Sequence, residues 1–289
     1  MQTILYNMFY EPSITERATI KAKDGMALAV HYPGKPLWVW TENSIEDLIK
    51  SPIEGFCSLC KLCDFCYGSG YKCTAFDKLC AFFTECIRVC GGKIDGMVAP
   101  DWAVDFFIHE FCLNNPNFRD YYCKCQNYQK WEVAAFFLSS PVKHFSNGNL
   151  ILLENRHIPL IKEWIGQFYM EALRLTLSYE DKINIASALI IGNLGRRLYG
   201  LENDGIIKAM GMIVPLMSKN MSRLNLIYTP YRNQGYGRDI TAMLSAMIQS
   251  QGKTPVLYTR VDNSAAMKLY ASLGFVEAGR LTEARFVMG

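Results

Sequence analysis

The chain has 289 residues, of which 50% are hydrophobic, and a formal net charge of +3. This length predicts two domains of ordinary size rather than one. The small net charge argues against nucleic acid or an anionic membrane as partner, and no apolar run is long enough to span a membrane. The first residues lack the basic and apolar regions of a secretory signal, so we expect a cytoplasmic protein.

The first domain is expected to cover residues 1–140 as a smaller α/β domain. Apolar runs bounded by turn signals predict its strands, at Met26–Tyr32, Leu37–Thr41, Ile94–Val98 and Trp131–Leu138. Helices are predicted from Ser44 and from Asp101, each residue acting as an N-cap, and the second helix should continue through Phe111.

Cysteine is concentrated in this half, with all eleven residues between Cys57 and Cys125. The odd count and the lack of an export signal argue against disulfides. The run Cys57-x-x-Cys60-x-x-Cys63-x-x-Cys66 has the spacing that zinc and iron–sulfur clusters use, and His109 and Cys112 would complete such a site. The alternative, which we favour, is that no metal binds and that Cys fills apolar helix positions, as Cys80, Cys86 and Cys90 would in an amphipathic helix.

The second domain is expected to cover residues 141–289, after a linker rich in turn residues at Pro141–Asn149. Hydrophobic periodicity predicts the order β-α-α-β-β-β-α-β-α-β, and therefore a mixed, mainly antiparallel sheet flanked by helices. The predicted elements before the central strand are Leu150–Leu153, His157–Leu173, Glu180–Ile191, Arg197–Leu201 and Ile206–Val214. Asn203-Asp204-Gly205 is a strong hairpin signal between the last two.

A glycine-containing turn follows the next strand, which begins at Leu224. Pro230 ends this strand because it has no N–H to donate. Gly235 and Gly237 follow, and apolar residues from Ile240 onward recur with helical spacing. A strand, a glycine turn and a helix start can hold a phosphate with free backbone N–H groups and the helix dipole. An ordinary strand–turn–helix connection would show the same pattern.

A second pattern lies downstream, after a predicted strand at Val256–Thr259. Asn263 is a good N-cap and Gly274 a good residue to end a helix. Ala266 and Tyr270 fall on one apolar face of this helix, so Asn263 and Tyr270 lie on nearly the same side. The chain then ends in one or two strands between Phe275 and Val287.

Together the two patterns resemble the GNAT superfamily of N-acetyltransferases. Arg232-x-x-Gly235-x-Gly237 is similar to its pyrophosphate loop, and Asn263-x-x-Ala266-x-x-x-Tyr270-x-x-x-Gly274-Phe275 is similar to its second signature. The resemblance covers about the last half of the chain. It is weaker in the first half, which is similar to the divergent, cofactor-free domain of two-domain relatives.

The resemblance implies an acetyl-CoA-dependent N-acetyltransferase that needs no metal. Arg232–Arg238 would hold the pyrophosphate, Ile227–Thr229 would pair with the pantetheine arm and stabilise the oxyanion, and Tyr270 would protonate the leaving thiolate. The partner would be a small-molecule or peptide amine, and a homodimer stays open. The implied cofactor-binding residues are Ile227, Tyr228, Thr229, Arg232, Asn233, Gln234, Gly235, Tyr236, Gly237, Arg238, Asn263, Ala266 and Tyr270.

The general base cannot be read from the sequence. Its candidates are the acidic residues Glu171, Glu180, Glu202 and Asp204, although for each of them we favour the interpretation as a solvated surface charge. A different class of function is a CoA-binding regulatory or interaction protein whose Cys-rich half holds zinc or an iron–sulfur cluster. The intact glycine turn and Tyr270 favour the enzyme.

Overall fold

The computed structural model describes residues 18–21, 27–31, 37–41, 75–92, 94, 96–112, 128–142, 148–173, 175–192, 195–216 and 220–286. The described residues form two compact units. The C-terminal unit consists of residues 134–279, and the N-terminal unit contains the described residues before Ala134 and after Gly279. The sequence-based division after residue 140 stays a prediction.

Four short strands and two α-helices lie wholly within the described part of the N-terminal unit. Its elements are β1 (Ala18–Lys21), β2 (Ala27–His31), β3 (Leu37–Thr41), α1 (Ala75–Val89), β4 (Gly96–Ala99) and α2 (Asp101–Asp105). The strands β1, β2 and β3 pair antiparallel, and β3 pairs parallel with β4. A cluster of buried phenylalanines forms its core, with the Phe83 ring 5.2 Å from Phe107 and 5.8 Å from Phe111.

The segment after β4 differs from the predicted single helix. The N-cap of α2 is Pro100, not Asp101, and no side chain caps it. The Asp101 carboxylate instead accepts a hydrogen bond from Thr282 Oγ1 at 2.7 Å and pairs with Lys130. The helix then widens into a π-helical turn at Phe106–Phe111, which places four apolar side chains in the core. The predicted Ser44 helix and the Cys57–Cys66 run lie outside the described residues.

The C-terminal unit holds most of the remaining elements. Strand β5 (Tyr128–Phe137) begins in the N-terminal unit and ends in this one, and β6 (Asn149–Leu152) follows. The others are α3 (Ile158–Leu173), α4 (Tyr179–Ile191), β7 (Arg197–Asn203), β8 (Ile206–Pro215), β9 (Met221–Tyr228), α5 (Tyr236–Ser250), β10 (Thr254–Arg260), α6 (Ser264–Ser272) and β11 (Val276–Phe286), whose residues from Arg280 onward belong to the N-terminal unit.

The sheet of the C-terminal unit has the strand order β5-β10-β9-β8-β7-β6. The pairs from β6 to β9 are antiparallel and β9–β10 is parallel, which confirms the predicted mixed, mainly antiparallel sheet. Adjacent residues of β8 point to opposite faces: Ala209 packs with residues of α5 and α6, and Met210 packs with residues of α3 and α4. Helices therefore cover both faces of this sheet.

Helix starts in this unit follow local capping chemistry. The Ser178 hydroxyl accepts a hydrogen bond from Asp181 N at 3.0 Å at the start of α4, and Asn263 caps α6 as predicted. The Asp204-Gly205 turn joins β7 and β8 with both residues at positive φ, as its sequence predicts. Among the described residues, no helix combines the length and apolar character needed to cross a bilayer.

Candidate functional site

Strands β9 and β10 separate toward their carboxyl ends. Their parallel ladder is confined, within these fully described strands, to Met221–Arg223 opposite Thr254–Val256. The glycine turn follows β9 and helix α6 follows β10. Because parallel strands end at the same edge of a sheet, this separation opens a cleft beside both elements, the usual position of a ligand in α/β sheets.

A β-bulge interrupts β9 inside this cleft. Met210 pairs with Tyr228 and Met212 pairs with Asn225, so Leu226 and Ile227 together face Gly211. Leu226 has a φ of 52°, which is rare for a residue with a branched side chain. The Asn225 side chain holds this conformation by accepting a hydrogen bond from Leu226 N at 2.9 Å. The bulge bends the strand away from its neighbour and gives its backbone a new direction.

The turn after β9 presents a row of free backbone donors. The N–H groups of residues 233–237 have no acceptor among the described residues, whereas those of Arg238 and Asp239 donate to Gly235 O at 2.9 and 3.0 Å. Asn233 and Gly235 have φ values of 57° and 85°. Left-handed residues alternating in this way turn successive N–H groups toward one point, which makes an anion-binding nest. The start of α5 adds the positive end of its dipole.

Helix α6 packs directly beside this turn. A Cβ placed on Gly237 would lie 3.5 Å from Leu269 Cδ1 and 3.7 Å from Thr229 Cγ2. Gly237 therefore faces these two side chains rather than open space. At Gly235 the equivalent position is open space. The Asn263 Oδ1 caps α6 by accepting from Ala266 N at 3.2 Å, and its amide donor has no partner among the described residues.

Tyr270 lies on the buried face of α6. Its ring packs 6.0 Å from Phe136 and 5.9 Å from Phe275. Burial raises the pKa of Tyr270 to about 12, so the phenol stays protonated at neutral pH. No described residue accepts its hydrogen bond. Tyr270 thus keeps an uncommitted O–H donor in an apolar pocket.

Arg232 points across the turn to helix α3. Its guanidinium pairs with the Glu171 carboxylate and lies 5.1 Å from the centre of the Tyr228 ring. The Tyr228 hydroxyl donates to Gln167 Oε1 at 2.6 Å. Burial, and then the nearby Glu171 charge, raise the pKa of Tyr228. The structure therefore groups the carboxylate, the phenol, the amide and the guanidinium at one side of the cleft.

Thr229 ties the end of β9 to the turn. Its hydroxyl donates to Lys208 O at 2.6 Å and accepts from Tyr231 N at 3.1 Å. The Lys208 ammonium lies 4.7 Å from the centre of the Tyr231 ring, and that ring packs 6.0 Å from Tyr236. These contacts fix the path of the backbone before its free N–H groups begin.

Comparison with known proteins agrees with this geometry. Residues 198–287 match the family model of the FR47-like proteins. A GCN5-related N-acetyltransferase from Kribbella flavida superposes with a TM-score of 0.53 at 10% identity, over 100% of this chain and 96% of that one. An acetyltransferase of the GNAT family from Colwellia psychrerythraea gives 0.51 at 14% identity, over 92% and 82%. Residues 198–287 are therefore similar to the FR47-like family, and the chain shares the fold of these GNAT acetyltransferases.

Other comparisons add little beyond this fold. A GNAT family protein from Novosphingobium aromaticivorans shares 18% identity with a TM-score of 0.42, over 55% of this chain and 66% of that one. No protein of curated function matches the sequence significantly. The family model spans β7 to β11, and thus contains the bulge, the turn, α5 and α6.

The C-terminal unit brings most of the predicted cofactor residues to one cleft. The predicted residues from Asn233 to Arg238 form the turn and the start of α5, and Asn263, Ala266 and Tyr270 belong to α6 or its cap, beside the turn. The Ile227 side chain instead packs into the apolar cluster under α5. Arg232 is a second exception, because its side chain faces Glu171. Among the described residues, Glu171 is the one of the four acidic candidates that contacts a predicted site residue. Glu180 lies in the first turn of α4, and Glu202 and Asp204 lie at the β7–β8 hairpin.

Sequence reasoning missed three features of the site. Glu171 was among the candidate bases, but Gln167, four residues before it on α3, was missed, and a search for polar pairs on an apolar helix face would have found it. Lys208 and the bulge at Leu226 carry no comparable local signal. No group of three metal-ligating side chains occurs within the described ranges, and the question of metal at Cys57–Cys66 lies outside them.

Proposed function

We propose that this GNAT-like domain transfers an acetyl group from acetyl-CoA to an amine. The observation that carries the proposal is the row of five N–H groups at residues 233–237 that find no acceptor in the described part of the chain. A diphosphate offers several charged acceptor oxygens, and N–H groups at a helix start bind such anions well. Arg238, exposed in the first turn of α5, adds a positive charge at the same place.

Residues of β9 and α6 would position the thioester. The pairing of β9 with β10 ends at Arg223. Beyond that residue β9 borders an opening, where an extended pantetheine arm could add to it like a strand. The bulge at Leu226 redirects backbone N–H groups there, and one of them would stabilise the oxyanion. The Asn263 amide would donate to the arm or the diphosphate.

The chemistry needs one bond to form, one to break and two proton transfers. The amine nitrogen attacks the thioester carbonyl carbon with its lone pair, the C–S bond breaks, and the sulfur keeps that electron pair. Tyr270 gives its proton to the sulfur, and the nitrogen loses a proton to a base or to water. A thiol has a pKa of roughly 8.5 in water, below that of Tyr270, but burial in the same apolar pocket raises the pKa of the thiol as well.

The experiment measures thiol release with a panel of amines, followed by kinetics of Tyr270→Phe. We expect this variant to lower kcat by about a hundredfold, as loss of a general acid does, and to leave the Kd for acetyl-CoA nearly unchanged. Tyr179→Phe, which alters an exposed phenol on α4, is the matched control and should behave like the wild type. An unaltered kcat in Tyr270→Phe would remove the acid role, and no thiol release with any amine would remove the proposed activity.

A further inference from the structure

The Arg232 guanidinium occupies a place beside α3 that is suited to binding a cation. The guanidinium stacks on the Tyr228 ring and pairs with the Glu171 carboxylate. Gln167 Oε1 accepts the Tyr228 hydroxyl at 2.6 Å and fixes the ring, while the rings of Trp164 and Phe168 pack 6.1 and 6.4 Å from it. An aromatic face next to a carboxylate is a recurring environment for alkylammonium groups.

We propose that Tyr228, Glu171 and Gln167 form the subsite for a second positive charge on the acceptor, and that Arg232 fills this subsite until acetyl-CoA binds. The acceptor is then an alkylamine that carries another cationic group. The inference rests on the proposed acetyl transfer and names its substrate class.

The exchange of Arg232 between two partners is energetically accessible. Its side chain and that of Glu171 are 53% and 47% exposed, and ion pairs this exposed contribute little stability. Arg232 directly precedes the row of free N–H groups, so a diphosphate held there is a second anion within its reach. Hydrogen bonds from arginine to phosphate oxygens are strong and frequently bidentate. Binding of the cofactor therefore favours movement of Arg232 to the diphosphate, which leaves Glu171 and Tyr228 open to the acceptor.

The spacing also suits one acceptor spanning both sites. Tyr228 lies two residues beyond Leu226 in β9, which corresponds to roughly 7 Å along a strand. An amine that reacts at the bulge can thus reach the Tyr228 ring with a short alkyl chain. The apolar edges of Trp164 and Phe168 would contact its methylene groups.

The test measures kcat/KM for the acetylation of three five-carbon acceptors by the full chain at saturating acetyl-CoA. These are 1,5-diaminopentane, pentylamine and 5-aminopentanoate, which share the reacting amine and carry an ammonium, a methyl and a carboxylate group at the far end. We expect kcat/KM to be about tenfold higher for the diamine than for pentylamine, from one exposed ion pair and one cation–π contact, and lowest for the amino acid.

Two variants of the same helix separate charge recognition from other roles of Glu171. Glu171→Gln should bring the diamine-to-pentylamine ratio close to one, whereas Glu163→Gln, an exposed position on α3, should keep it. Loss of a general base would instead lower the rates of all three amines together and leave the ratio unchanged, which would overturn the subsite. Equal kcat/KM for pentylamine and the diamine in the wild type would also overturn it, while leaving acetyl transfer intact.

The role of Arg232 has its own measurement. Calorimetric titration of 1,5-diaminopentane should show tighter binding when the protein is saturated with CoA, and Arg232→Gln should remove this dependence. Binding that is unaffected by CoA in the wild type contradicts the exchange. If acetyl-CoA itself does not bind and no thiol is released, both the proposed function and this inference fail.

Discussion

Tyr270 illustrates how the surroundings of one residue decide what it can do. Its position in an apolar face is ordinary for a core tyrosine, and the sequence pattern alone does not separate a core role from a chemical one. The structure adds a second fact, since the hydroxyl has no acceptor among the described residues although the ring is packed between Phe136 and Phe275. A buried phenol with an uncommitted proton can donate to a ligand atom.

The raised pKa of Tyr270 predicts a loss of stability at high pH. Its pKa rises from about 10 in the unfolded chain to about 12 in the folded one. Between these values the unfolded state binds fewer protons, so the free energy of unfolding falls as pH rises. The stabilisation is fully present below pH 10 and is lost as pH rises through 12. Urea unfolding from pH 8 to 12 should show wild type losing about 2–3 kcal/mol relative to Tyr270→Phe.

Tyr179→Phe is the control for this series, because it removes an exposed phenol. Its stability should follow that of the wild type at every pH. Parallel curves for wild type and Tyr270→Phe would show that the phenol titrates alike in the folded and unfolded chains.

The turn between β9 and α5 shows what sequence predicts well at the scale of an element. Pro230, the glycines and the helical spacing after Ile240 are local signals, and the strand, turn and helix occur where they predict. The bulge at Leu226 could not be predicted, because leucine is uncommon at positive φ and the Asn225 hydrogen bond stabilises it only in this context. The π-helical turn at Phe106–Phe111 was missed for a similar reason, since core packing rather than local preference sets its width.

The two glycines of the turn should respond differently to alanine. Gly235 has a φ of 85°, where a Cβ costs roughly 1–2 kcal/mol, so Gly235→Ala should lower stability and weaken acetyl-CoA binding by disturbing the N–H row. Gly237→Ala would make only ordinary contacts with Leu269 and Thr229 and gains helix propensity. It should keep both stability and affinity, as measured by urea unfolding and calorimetry. Equal losses in the two variants would contradict this account of the turn.

At the scale of the whole molecule, long-range contacts account for what the sequence did not predict. The contact of Arg232 with Glu171 joins residues 61 positions apart, and no local pattern indicates it. The residues of β11 from Arg280 onward pack with the N-terminal unit, where Thr282–Arg285 pair with β4. Periodicity predicts which residues form a strand, but it does not predict which neighbour that strand pairs with.

Calorimetric titration of the full chain with acetyl-CoA tests most directly whether the N–H row at residues 233–237 holds a diphosphate. S-acetylpantetheine, which has the same thioester but lacks the diphosphate together with the 3′-phosphoadenosine, is the comparison ligand. The account predicts one acetyl-CoA per chain and binding of S-acetylpantetheine that is weaker by at least about a hundredfold, since several charge-assisted hydrogen bonds are lost. Equal affinity for the two ligands, or no binding of acetyl-CoA at millimolar concentration, would contradict it.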